Sequence, residues 1–285
     1  MRSRYRVLAI SGLILLLAGG CSRGPQHALE VVAVPVAQLP LDAAAPEWQT
    51  APVYTTKLLP QDLVEPRLMK PSTAEVQVRA LASSSEIALR LQWTDATVDD
   101  VPGPGRFLDA CAVQLPKTID PNLPDPQMGQ STKPVQITFW RADWQASVNG
   151  RADNINAIYP NATVDHYPFQ AKPLEGTPEQ KEMAKRYAPA EAVDNRRAGP
   201  RETPVEDLVA EGPGTLSPAP AKMSRGQGAH GLQGWSVVIV RPLPTGLGPA
   251  TRTQVAFAVW EGSHDEAGAR KMRSGWAPLS IRGPR

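Results

Sequence analysis

Few residues in this chain of 285 could ligate a metal or act as nucleophiles: four histidines, two cysteines and six methionines stand out. His27, His166, His230 and His264 are scattered without ligand spacing. There is no His-Glu-x-x-His helix, no glycine–serine nucleophile elbow and no phosphate-cradling glycine loop. A stand-alone enzyme is therefore not expected. Cys-x-x-Cys-His is also absent, which excludes covalent attachment of a c-type haem by the usual route. A haem bound without covalent attachment stays open, because such a site needs only an apolar slot and one or two axial ligands and leaves almost no linear motif.

The cysteines carry different chemistry. Arg2, Arg4 and Arg6 precede an apolar run from Val7 to Ala18, then Gly19, Gly20 and Cys21. This reads as a signal peptide over residues 1–21, with Cys21 as a lipoprotein-type site whose thiol takes a diacylglycerol. The run is short for a transmembrane helix, which needs about 20 residues. The expectation is a protein on the periplasmic side of a bacterial membrane, lipid-anchored or else soluble. With Cys21 committed to lipid, Cys111 has no disulfide partner and reads as a small buried residue. A net charge of +2 with 20% charged residues argues against nucleic acid as a partner.

The elements that must position any site are mostly strands. Residues 22–46 are rich in Ala, Val, Pro and Gln and read as a tether, with the domain over 47–285. Val76 and Val78, then Ile87, Leu89, Leu91 and Trp93, alternate with polar residues across a Ser83–Ser85 turn, as a hairpin with one buried face does. Similar runs occur at Ala110 to Leu115, at Val135, Ile137 and Phe139, at Trp235 to Arg241, at Val255, Phe257 and Val259, and near Trp276 to Ile281. The fold class is mostly β, an antiparallel sandwich. A proline-rich insertion over about 150–233 interrupts it. Thr177-Pro178-Glu179-Gln180 and Thr203-Pro204-Val205-Glu206 each place a capping threonine before proline, predicting two short helices there.

Three groups of residues carry a resemblance. They are Arg106-Phe107-Leu108-Asp109-Ala110-Cys111, Pro126-Gln127-Met128-Gly129 with Pro134 to Trp144, and Phe257-Ala258-Val259-Trp260-Glu261-Gly262 through Gly268-Ala269-Arg270-Lys271 to Trp276. In that order they resemble the haem-binding γ-subunits of ethylbenzene dehydrogenase, dimethylsulfide dehydrogenase, selenate reductase and chlorate reductase. The resemblance implies a sandwich similar to carbohydrate-binding modules and DOMON domains. It also implies haem b held between one methionine and one lysine, and partnership with a molybdenum catalytic subunit, an iron-sulfur subunit and a cytochrome or quinol-linked redox partner. Met128 and Lys271 match the ligand positions.

Physical chemistry is compatible with that pair. A thioether is a soft ligand that favours ferrous iron. Lysine binds iron only as the neutral amine, so burial must lower its pKa. Neighbouring alternatives are Met272, Lys222, Met223 and His264. Two functions from different classes follow: a haem-b electron carrier, or a haem-free sandwich that binds carbohydrate through exposed tryptophans. Trp140, Trp144, Trp235, Trp260 and Trp276 read mainly as core, with one or two flanking a porphyrin in the first case.

Overall fold

A computed structural model describes residues 28–152, 155–161, 172–187, 201–221 and 223–283. The leader, Cys21, Lys222 and His166 lie outside them. Strand β1 (Val31–Pro35) leads through a 3-10 turn (Pro46–Thr50) to β2 (Tyr54–Lys57), β3 (Leu59–Pro60) and the hairpin of β4 (Glu75–Ala82) and β5 (Glu86–Trp93). Next come β6 (Ala110–Pro116) and β7 (Val135–Arg141), then α1 (Ala142–Val148), α2 (Ile155–Ile158) and α3 (Pro178–Tyr187). The chain continues as β8 (Val205–Ala210), β9 (Ser217–Pro218), β10 (Arg225–Gly231) and β11 (Gly234–Pro242). It ends with β12 (Arg252–Trp260), β13 (Met272–Arg273) and β14 (Ala277–Ile281). None of the helices among the described residues is long and apolar enough to cross a membrane.

Strand pairing builds a mostly β, two-layer sandwich. One layer runs β10-β11-β5-β4-β1-β14, and the other β6-β7-β8-β9 with β13 and β3 at its side. β12 joins them: Arg252 to Val255 pair with β14, and Ala256 to Trp260 pair with β6. Period-2 alternation sets which side chains fill the space between the layers. Val78, Leu89, Leu91, Val237 and Ile239 of the first layer share one apolar core with Cys111, Val113, Leu115, Phe257 and Val259 of the second. The opposite face of the second layer carries a separate apolar cluster that includes Ala110, Ala112, Val135, Ile137, Leu208 and Trp260.

Several expectations change. The tether does not extend to residue 46: β1 lies inside the first layer, parallel to both β4 and β14, so the sandwich is mixed, not purely antiparallel. Leu39, Leu41, Ala43 and Ala45 then pack with Trp48 over that layer's outer face, against Ala88, Val238 and Val240. The second capping signal also fails. Val205 begins strand β8, because Val135 to Trp140 of β7 offer a full ladder of partners and tertiary pairing overrides a local helix start. The β pattern thus resumes at β8, well before residue 233. The first signal holds: in α3 the Gln180 N–H donates to Thr177 Oγ1 at 3.1 Å, and Gly176 N–H donates to Gln180 Oε1 at 2.8 Å.

Candidate functional site

The outer face of the second layer is the floor of a cleft of about 550 Å³, within the range of about 300–1,000 Å³ common for cofactor sites. Ala110 and Ala112 of β6 and Ala256 and Ala258 of β12 form its low centre. Four small side chains on adjacent strands leave an apolar surface with room for a ligand against it. Ile137 and Phe139 of β7, Leu208 of β8 and Trp260 of β12 bound that floor. Phe139 meets Trp260 edge to face at 5.2 Å and Trp144 at 5.5 Å.

Met128 and Lys271, 143 positions apart in sequence, line this same cleft from two different loops. Met128 is partly buried against the floor cluster and has a left-handed backbone, φ 73°, a strained conformation for a non-glycine residue. Gly129 follows at φ 78°, where an added Cβ would meet the Lys133 carbonyl oxygen at 2.9 Å. The Gly129 N–H donates to Asp125 O at 2.8 Å, and Gly212 N–H donates to Met128 O at 2.9 Å. Two side chains fasten the loop to the sandwich: Gln114 Nε2 donates to Pro126 O at 2.9 Å and Trp276 Nε1 to Pro124 O at 2.8 Å.

The lysine loop is fastened in the same manner. Gln61 Nε2 donates to Ala269 O at 3.1 Å, Trp260 Nε1 to Gly268 O at 3.0 Å, and Gln61 N–H to Lys271 O at 2.9 Å. Alternation from Lys271 through β13 then sorts the neighbours. Lys271 and Arg273 line the cleft, whereas Met272 is buried in the inter-layer core and Arg270 stacks on Phe107. Met272 is thereby removed as an alternative ligand. Met223 and His264 do not line the cleft either; Met223 is exposed, and His264 pairs with Glu261 at 2.9 Å. His230 bonds the Asp95 carbonyl at 3.0 Å, away from the cleft.

Electrostatics shift Lys271 toward the neutral amine. Burial, with a further push from the Arg273 guanidinium, brings its pKa down to about 8, and its Nζ stands 5.2 Å from the Trp260 ring centroid. Glu266, buried and lining the cleft, has its pKa raised by burial; its carboxylate accepts from Ser72 and from the Glu261 N–H. Just below the floor, burial pushes Asp109 up to about 6 even though Asp99 N–H, Gly262 N–H and Trp235 Nε1 all donate to it. Cys111 is a buried free cysteine facing the core, its thiol pKa raised by burial.

The profile of the ethylbenzene dehydrogenase family matches residues 45–272, which is most of the chain. The chain belongs to the ethylbenzene dehydrogenase family. A relative in Haloferax mediterranei, named for the haem subunit of a respiratory nitrate reductase, is 23% identical over 290 residues, covering 96% of this chain and 83% of that protein. The γ-subunit of chlorate reductase from Ideonella dechloratans is 24% identical over 251 residues, covering 84% of this chain and 80% of the relative. Among solved structures, a family 9 carbohydrate-binding module from Caldicellulosiruptor kristjanssonii with cellotriose matches at TM-score 0.42 and 8% identity, over 90% of this chain and 94% of that one.

A haem would suit the donor set of this ethylbenzene dehydrogenase family member. The cleft offers an apolar floor, a thioether, an amine poised toward its neutral form and one orphaned donor, the buried Nε of Arg273. Sequence reasoning missed Gln61, Gln114, Glu266 and Arg273. Gln114 carried a readable signal, a polar residue on an otherwise apolar strand. Gln61 carried none, since its partner Ala269 is 208 positions away.

Proposed function

We propose that this protein is a haem-b electron-transfer subunit, not an enzyme by itself, with Met128 and Lys271 as the axial ligands. It serves a molybdenum oxidoreductase with an iron-sulfur subunit and a cytochrome or quinol-linked partner. It does so on the periplasmic side of a bacterial membrane, tethered through Cys21. The observation that carries the reading is the convergence of Met128 and Lys271 on one apolar cleft. The names of the relatives, a nitrate reductase haem subunit and a chlorate reductase γ-subunit, support it.

When bound, the haem supplies a one-electron ferric/ferrous couple. Around it, the chain's own residues would hold position and exclude water: the alanine floor would give the macrocycle an apolar contact, Phe139 and Trp260 would close the cleft at its sides, and the fastened loops would carry the ligands. Two side-chain ligands leave no coordination position for oxygen or substrate, which suits electron transfer. The carbohydrate-binding alternative requires exposed tryptophans. Of the seven tryptophans six are buried and Trp276 is partly buried, so the described residues offer no fully exposed tryptophan.

The test is to express the mature domain from Ser22 onward in a periplasm and record oxidised and dithionite-reduced spectra with a pyridine haemochrome assay. A stoichiometric low-spin b-type spectrum is expected, shifted to high spin or lost in Met128→Ala and Lys271→Ala. Folded protein that stays haem-free after haem supplementation would overturn the reading.

A further inference from the structure

Around the cleft the charges do not balance. Its lining carries Arg106, Arg141, Lys271 and Arg273 against Glu65 and Glu266. Arg141 is already closed by a bidentate bond to Asp143, at 2.5 and 2.7 Å. Glu65 is exposed and pairs with Arg67 at 2.9 Å, and Glu266 is taken by Ser72 and a backbone N–H. Arg273 is different. Its side chain is 16% exposed, its Nε is buried without an acceptor, and its one ionic contact among the described residues is the exposed Asp62 at 4.0 Å.

A guanidinium in an apolar wall beside a second basic group is unfavourable unless an anion completes it. The guanidinium fork matches a carboxylate in two parallel bonds better than any other side chain does. Geometry adds a second constraint. Arg273 stands two residues after Lys271, pairs across β13 with Ala258 of the floor and lines the same cleft, so a macrocycle coordinated by Lys271 has its rim within reach of Arg273. Protoporphyrin is apolar around most of its rim and carries its two carboxylates on one edge.

We propose that Arg273 anchors a propionate carboxylate of the bound haem, and so fixes which edge of the macrocycle lies at β13. This rests on the haem reading above. Arg273 is a binding and orienting residue; it does not touch the iron.

The probes are iron protoporphyrin IX and its dimethyl ester, in which both carboxylates are capped and uncharged. Affinity for each is measured by absorbance titration on wild-type apoprotein and on Arg273→Gln. The ratio of the two affinities is the readout, because any change in Lys271 enters both titrations and cancels. Wild type is expected to favour the free acid on the order of tenfold to a hundredfold, the range of a charged hydrogen-bonded contact. Arg273→Gln should lose most of that preference, and Arg273→Lys, which keeps the charge without the fork, should retain part of it.

A wild-type ratio near one overturns the anchor while leaving haem binding intact, and this measurement needs no variant to fold. An unchanged ratio in folded Arg273→Gln also overturns it, since another group then holds the carboxylate. Failure of folded wild type to bind either porphyrin sinks the haem reading itself, a distinguishable result.

Discussion

An amine lining an apolar cleft beside an arginine releases its proton more readily than one in water, and at Lys271 this brings the pKa to about 8. The sign of the pH effect follows. Iron requires the neutral amine, so protons compete with haem below about pH 8 and cease to compete above it. Haem affinity of the apoprotein should be flat above pH 9 and fall by up to about tenfold per pH unit below 8. Titrations from pH 6 to 10 check this against Lys271→Met, whose thioether carries no proton and should flatten the profile. A wild-type profile no steeper than the variant's would mean that Lys271 does not ligate the iron. Residue by residue, the sequence was only partly informative. Met128 and Lys271 were found through the family's ordered motifs, not through their chemistry, since a methionine before glycine and a lysine among arginines are ordinary. Structure removes Met272 as a competitor by one fact, the alternation from Lys271 through β13 that turns it into the core.

At the scale of elements, the site depends on two loops held by the same device, a glutamine and a tryptophan donating to backbone carbonyls. The methionine loop adds a left-handed pair, Met128 and Gly129, so its shape depends on glycine at 129. Gly129→Ala combines an unfavourable φ with a clash at 2.9 Å against the Lys133 carbonyl oxygen. It should cost about 2 kcal/mol or more and speed haem dissociation. Gly105→Ala is the control: φ is also positive, at 68°, but the added methyl meets open space, so about 1 kcal/mol is expected with dissociation unchanged. Denaturant melts and haem-transfer kinetics on both variants check the pair; equal dissociation rates would show that the Met128 turn does not set haem retention. A second variant, Gln114→Leu, removes a donor to the same loop without backbone strain. Its dissociation should quicken severalfold while the melt moves by about 1 kcal/mol. Elements with alternation, β4, β5 and β7, and the longer apolar runs of β6 and β11 were legible in sequence. β1 was not, because a strand flanked on both sides inside a layer reads as a plain apolar run, Val31-Val32-Ala33-Val34-Pro35, and resembles a tether by composition. The helix start at Thr203-Pro204 misled for a related reason: a local cap cannot compete with the ladder that β7 offers β8.

For the whole molecule, the second layer separates two apolar systems. On one side Cys111, Val113, Leu115, Phe257 and Val259 pack against the first layer; on the other Ala110, Ala112, Ile137, Leu208 and Trp260 face the cleft. The inter-layer core is complete without any group in the cleft, so the sandwich should fold without haem, unlike small domains that need their metal to fold. Haem then adds stability by mass action: free haem at about 100 times its Kd contributes roughly 2.7 kcal/mol. For a domain of this size that raises Tm by roughly 5–10 °C. Apoprotein should keep the near-ultraviolet dichroism of buried Trp48, Trp140 and Trp235, melt cooperatively, and bind a hydrophobic dye that haem displaces, since the cleft offers a dye the same apolar lining. In Met128→Ala the dichroism should persist while the haem-induced rise in Tm shrinks. Loss of tertiary dichroism on haem removal would overturn this division, because it would mean that the two faces of the second layer order as one cooperative unit and that the cofactor completes the fold.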